Sequence, residues 1–433
     1  MDYKILVVTP PALRDSAILI LKSRLMNYAT PELQKVARSE LTRKNVSAWL
    51  ENALNLLYPN ANFTQLIRQQ VVEAAAADLV GYGPIELLLA DSEINEIMIN
   101  GPKLVFIEKN GELYQTDIMF EDNAHLMRII DRILLPLGRR VDAETPTADA
   151  RLPDGSRVNV IVPPVAVDGP AVTIRKFPQS RMGIEDLIRL GTVSSYMAKF
   201  LEACVVARLN ILVTGNTSSG KSTMLNVLST FIPNLERIVT IEDAVELQLR
   251  QRHVVRLETR LPNLDGTGAI STRDLVRNAL RMRPDRLIVG EVRGGEALDM
   301  LQALNTGHAG SLTTLHANSP RDAIARLETM SMMAGLDLPI SAVRKQIASA
   351  INLIVHMNRL PDGSRKAIQI TEVIGMEGDV VTQMDIYKYV SNGIGPDGKA
   401  RGELKPTGLR PMFTPRLEQA GFKLGGELFG MGL

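Results

Sequence analysis

The spacing of apolar positions changes twice along the chain, and the changes divide it. From about residue 12 to 80 they recur at intervals of three and four: Ile18, Leu19, Leu21 and Leu25; Trp49, Leu50, Leu54 and Leu57; and the run from Leu66 to Val80. That period gathers apolar side chains on one helix face. Pro31, Pro59 and Asn60 punctuate it. Residues 1–80 are therefore expected to form a small helical module with a packing or assembly role.

From Gly81 the period shortens to that of strands. Glu96–Gly101 and Leu104–Glu108 alternate or run apolar, and Lys109-Asn110-Gly111 signals a hairpin. A helix is predicted from Asn123 to Leu135, with Ile129, Ile130, Ile133 and Leu134 on one side. Ala148–Leu152 turns through Pro153-Asp154-Gly155 into Arg157–Ile161, and Ala171–Arg175 follows. This pattern predicts a small α+β domain over 81–178, joined by a linker at 179–190.

The third texture alternates strands with helices, which predicts an α/β domain with a largely parallel sheet over 191–390. Its strands are 209–214, 236–241, 254–257 and 286–291, with a helix at 271–282 and a Gly- and Pro-bearing loop at 261–269 expected to be mobile. Strand patterns return over 351–356, 367–374 and 380–387. Residues 391–408 are rich in Gly, Pro and Lys, so 391–433 is expected to be a flexible segment with a short helix near 415–420.

Composition narrows the classes. A chain of 433 residues holds two or three domains and a large core. The formal net charge of +1 gives no global footprint for nucleic acid. One cysteine, Cys204, excludes an intrachain disulfide framework or a thiolate zinc site and fits a reducing cytosol. The apolar run Ile5–Val8 is too short for a signal-peptide core, and no uncharged apolar stretch reaches 18 residues. Any membrane role is expected to be peripheral.

The chemistry concentrates after the strand at 209–214. Gly215-Asn216-Thr217-Ser218-Ser219-Gly220-Lys221-Ser222-Thr223 fits G-x-x-x-x-G-K-[ST]. In such a loop backbone N–H groups turn towards a phosphate chain, Lys221 reaches the β- and γ-phosphates, and the Ser222 hydroxyl meets Mg²⁺. The helix that follows adds a favourable field for an anion. Leu287–Glu291 is a strand ending in a carboxylate, the expected second half of the site, with Glu291 orienting or deprotonating water directly or through the metal shell. Glu242 and Asp243 close another strand, and parallel strand ends share one crevice.

Two of the five histidines, His308 and His316, flank a Gly-Ser-Leu-Thr-Thr turn, and Ser319-Pro320 is a helix start. No third ligand at zinc-like spacing accompanies them. Arg151, Arg157 and Arg175, with Arg139 and Arg140 nearby, lie on or beside strands and suggest a phosphate-facing edge.

These motifs resemble those of the type II/IV secretion system ATPases. Gly215–Thr223, Ile241-Glu242-Asp243, Val289–Arg293 and Gly307–Asn318 look like their Walker A, Asp box, Walker B and His box. Arg281–Arg286 running into Gly290–Ala297 is most similar to the CpaF/TadA motors of Tad pili. The likeness spans about 75–433. It implies a RecA-like motor domain behind a PAS-like domain. It also implies a ring hexamer in the cytoplasm, docked on an inner-membrane platform protein and powered by ATP with Mg²⁺. By the same resemblance Lys221 and Ser222 hold phosphate and metal, Glu291 is the catalytic carboxylate, Glu242 supports metal or water, His316 senses the γ-phosphate, and Arg157 and Arg175 close on the nucleotide. The four-cysteine zinc insert of type II export motors is excluded. Three functions are compatible: a pilus or secretion motor, a type IV motor moving protein or DNA, and an ATP-gated assembly subunit with little turnover. The two glutamates and both histidines argue against the last.

Overall fold

The computed structural model describes every residue except 1–3, 34, 36–40, 62, 110, 178–181, 261, 263–265 and 431–433. The chain divides into two compact units, Met1–Ser180 and Arg181–Leu433.

The first unit opens with β1 (Lys4–Leu6), followed by the helices α1 (Ser16–Leu33), α2 (Arg43–Leu57) and α3 (Gln65–Val80). Leu25, Leu50, Leu54 and Val71 meet in the three-helix core, as the three–four spacing requires. Thr42 and Thr64 cap α2 and α3, each accepting a backbone N–H three residues on, worth about 1 kcal/mol apiece. After α4 (Glu86–Ala90) come β2 (Ile94–Asn100), β3 (Val105–Lys109), β4 (Glu112–Thr116), α5 (Asn123–Leu134), β5 (Thr147–Arg151), β6 (Arg157–Ile161) and β7 (Ala171–Arg175).

These strands form a seven-stranded sheet in the order β1-β4-β3-β2-β7-β6-β5. Ile97, Ile99, Val158, Val160, Val172 and Ile174 pack with Ile129, Ile130 and Ile133 of α5, so one sheet face is core. The helical module and the sheet belong to one body. β1 pairs parallel to β4, and the Arg132 guanidinium caps the end of α3 by donating to the carbonyls of Asp78 and Gly81. Asp78 is buried between Lys22 and His125. The Lys22 ammonium already supplies the cation there, so this acid–histidine cluster is a brace.

The second unit runs α6 (Ile184–Arg189), α7 (Ser195–Val206), β8 (Ile211–Gly215), α8 (Lys221–Ser229), β9 (Ile238–Glu242), β10 (Val254–Glu258), α9 (Thr272–Ala279), β11 (Arg286–Val292), α10 (Glu296–Asn305), β12 (Leu312–His316), α11 (Pro320–Met332), α12 (Ile340–Ala350), β13 (Leu353–Arg359), β14 (Arg365–Glu377), β15 (Val380–Ile394), β16 (Ala400–Pro406) and α13 (Thr414–Gln419). The sheet order is β10-β9-β11-β12-β8-β13-β14-β15-β16. The strands from β10 to β13 in that order are parallel, and the last three turn antiparallel.

β8 lies at the centre and is buried along its whole length. Ile211 and Val213 face α7 and α8, and Leu212 faces the core of α10 to α12. Burial on both faces is why this strand reads as a continuous apolar run.

The segment expected to be flexible is built differently. β15 continues to Ile394 and pairs with β16, and Gly395–Gly398 makes the connecting turn. Beyond it, Phe413 stacks on Phe200 of α7 and Phe429 meets the same ring edge-on, with centroids 6.2 and 6.0 Å away. Glu372 fixes this return, accepting from the backbone N–H groups of Met412 and Phe413. Composition hid the order, because the ladder and the aromatic socket are both long-range. The linker 179–190 likewise contains α6. Part of the loop 261–269 lies outside the described residues. Among the described residues no helix is long and apolar enough to cross a membrane.

Candidate active site

Parallel pairing brings the C-terminal ends of β8, β9, β11 and β12 to one rim, where loops are free of the ladder. Gly215 ends β8 at φ +149°, and a Cβ there would stand 2.3 Å from the Met357 carbonyl oxygen. Only glycine lets the loop leave the sheet at that point. Residues 216–220 then wrap to the start of α8, with Ser218 held at φ +59°. The Lys221 ammonium turns back onto its own loop, donating to the Asn216 carbonyl at 2.8 Å. Ser219 Oγ is buried with no hydrogen-bond partner among the described residues. A buried hydroxyl without a partner, a folded-back lysine and the N-terminal turn of a nine-residue helix together fit a phosphate chain.

His316 ends β12 directly beside Gly215. Its Nδ1 lies 3.4 Å from the Lys221 ammonium and its Nε2 lies 2.7 Å from Glu291 Oε1. Lysine only donates, so Nδ1 presents its lone pair and Nε2 carries the proton. The approach to Glu291 is close without hydrogen-bond alignment. Burial holds the imidazole below its ordinary value; Glu291 opposes this and Lys221, Arg293 and Arg326 reinforce it. The ring is neutral at pH 7.

Glu291 also accepts at Oε2 from Arg293 Nε at 2.9 Å. Arg293 Nη1 reaches Asp243 Oδ2 at 3.4 Å, so one guanidinium spans both acidic strand ends. Glu242 is buried. Its Oε2 accepts from the backbone N–H groups of Glu246 and Leu247 at 2.7 and 3.0 Å. Gly290 makes room for it, since a Cβ there would come within 2.9 Å of Glu242 Cγ. Glu242, Glu291 and the Ser222 hydroxyl are oxygen donors of the kind Mg²⁺ takes.

His308 does not join this group. It lies four residues before β12, with Nδ1 3.2 Å from the Ala303 carbonyl oxygen at the end of α10. β12 runs for about 13 Å between it and His316. Eight residues looked close in sequence, but the strand between them carries the two rings to opposite rims of the sheet. Its ring therefore stands apart from the phosphate loop, at the end of α10.

Arg157 and Arg175 lie in the first unit. They are register neighbours, with Arg151 opposite Arg157 on the other side. The three form a row across the polar face of β5, β6 and β7.

Sequence reasoning passed over two residues at the rim. His356 of β13 is buried, and its Nδ1 lies 2.9 Å from the Thr214 hydroxyl of β8. Burial depresses its pKa against the Asn318 backbone and Asp322, which raise it. Arg293 stands within the Val289–Arg293 motif, and its spacing two residues after Glu291 is the sequence signal for the pairing.

A model of the family described as Type II/IV secretion system protein matches residues 78–389. The chain belongs to that family. A putative conjugal transfer protein of Mycobacterium tuberculosis is 35% identical over 333 residues, which is 76% of this chain and 94% of that protein. The type IV secretion system protein PtlH of Bordetella pertussis is 36% identical over 312 residues, 65% of this chain and 90% of that one. Among solved structures, the VirB11 ATPase from the Brucella suis type IV secretion system, in complex with sulphate, is 28% identical, covers 66% of this chain and 94% of that one, and has a TM-score of 0.37. The phosphate loop, both glutamates and both histidines of this secretion-system protein fall inside the matched span.

Proposed function

We propose that this family member hydrolyses ATP to drive a secretion or pilus machine at a membrane. The observation that carries the reading is the line Lys221–His316–Glu291, with gaps of 3.4 and 2.7 Å. It ties the residue that grips phosphate to the carboxylate suited to activate water. Lys221 exchanges the Asn216 carbonyl for phosphate oxygens, and the Ser219 hydroxyl gains its missing partner. Arg293 holds one oxygen of Glu291 and leaves Oε1, on the His316 side, to take a proton from water. Neutral His316 reports on that place through its single N–H. Ser222, Glu242 and Glu291 would hold Mg²⁺, which neutralises charge developing on the transferred phosphoryl group. Arg157 and Arg175 are proposed as further phosphate ligands.

Within the family the pattern Arg281–Ala297 supports a Tad-type pilus motor, working as a hexamer on an inner-membrane platform protein. A second reading, a type IV secretion motor, draws on the names of the conjugal transfer and PtlH relatives. The test is Mg²⁺-dependent ATP hydrolysis across protein concentrations, beside Glu291→Gln. Turnover per subunit that rises with concentration, and a variant that binds ATP without hydrolysing it, support an oligomeric motor. A wild type that binds ATP yet stays at the variant's rate at every concentration counts against it.

A further inference from the structure

Glu291 is not delivered by a regular strand. Along β11 and β12, Val289 pairs with Thr313 and Val292 with Leu315. Gly290 and Glu291 therefore both stand opposite Thr314, which is a β-bulge. A bulge breaks the alternation of faces and leaves a backbone group outside the ladder. Here the Gly290 carbonyl is taken up by a side chain: Thr314 Oγ1 donates to it at 2.6 Å. Thr314 is buried, with 1% of its surface exposed.

A buried threonine bonded to a carbonyl is usually a matter of local satisfaction. Two features set this one apart. The carbonyl it holds belongs to the bulged residue next to the carboxylate. And Gly290 has no side chain to fix the bulge by packing, because the Glu242 Cγ fills that space.

We propose that Thr314 is a positioning residue for Glu291: its hydroxyl pins the bulge in β11 that turns the carboxylate towards His316. The inference rests on the ATPase reading for its kinetic consequence, and on geometry alone for its structural one. It also gives a task to the second threonine of the Thr-Thr pair that stands between the two histidines.

Valine keeps the shape and the strand preference of threonine but cannot donate, whereas serine keeps the donor. Thr314→Val is expected to lower kcat by about tenfold to a hundredfold, the scale of a misplaced reacting group. Affinity for a fluorescent ATP analogue should stay within about threefold, because the bulge lies on β11, with β12 between it and the strand β8 that carries the phosphate loop. Thr314→Ser should hold kcat within about threefold of wild type. An unchanged kcat in the valine variant overturns the proposal. So does a serine variant that falls as far as valine, since packing would then be the cause. Crystal structures of both variants read the geometry without turnover. The expected result is a Glu291 carboxylate drawn away from His316 Nε2 with valine and in place with serine. An unmoved carboxylate in the valine variant overturns the inference. Displacement there, with a wild type that binds but never hydrolyses ATP, would sink the ATPase reading and leave this one standing.

Discussion

The two rims of the nine-stranded sheet carry similar residues to opposite ends. At the C-terminal rim Lys221 is buried, Glu291, His316 and Arg293 are partly or fully open, and the four are linked to one another across loops. At the N-terminal rim, Arg286 of β11 is fully buried. It pairs with Glu236, and its Nη1 donates to the carbonyls of Val205 and Gly310, both at 2.9 Å. Each rim thus has an Arg–Glu pair at one end of β11: Arg286 opens the strand and meets Glu236 from before β9, while Glu291 and Arg293 stand five and seven residues further on. The lower pair is saturated by backbone carbonyls and can only hold the sheet together. The upper pair leaves a carboxylate oxygen on the side of a neutral histidine and so can exchange partners. Residue type does not separate structure from chemistry here; the completeness of the hydrogen bonding does.

The contrast is broken or sharpened most by replacing one member at each rim. Glu291→Gln should cut ATP turnover by about a thousandfold, the size of a lost general base, while nucleotide affinity and unfolding midpoint barely move. Arg286→Met should do the opposite. It removes the buried partner of Glu236, leaving it Arg208 alone at 3.3 Å, and strands two carbonyls, costing about 2–4 kcal/mol of stability in denaturant titration, with turnover per folded molecule within about threefold. A large kcat effect without loss of stability would erase the distinction between the rims.

The histidines give a smaller version of the same test. His316→Asn should lower kcat by about tenfold to a hundredfold. His308→Asn should leave it within about threefold, since the His308 ring lies against the Ala303 carbonyl at the end of α10. Equal effects would return His308 to the site.

The smallest effect is one of pH. Burial lowers the folded-state values of His316 and His356 below the ordinary 6.5. The unfolded chain then binds more protons between the two values, so stability rises with pH there. The contribution is complete above about 6.5 and is lost as pH falls through the folded values. The midpoint of thermal unfolding should therefore drop between pH 7.5 and 5.5, and less steeply in His356→Gln. An identical slope in that variant would remove His356 from the account.

The sequence by itself determined the chemistry of the loop. Gly215 to Thr223 follows an apolar run and opens a helix, and each of those features is local. The strand ends at Glu242 and Glu291 were also legible, because an apolar run that stops at a carboxylate is visible without knowing its neighbours. So was the cap at Ser319, whose Oγ accepts from the Asp322 N–H. Only the tertiary structure decided which of these residues meet. Strand order put β12 between β11 and β8, which joined His316 to Lys221 and Glu291 and sent His308 to the far rim. It also set the bulge opposite Thr314, the partnership of Thr214 with His356, and the aromatic socket that orders the Gly-rich end. These are pairings between residues tens to hundreds of positions apart. Spacing along a chain fixes which face of its own helix or strand a side chain takes, and the partner it finds there is set by how the strands are laid side by side.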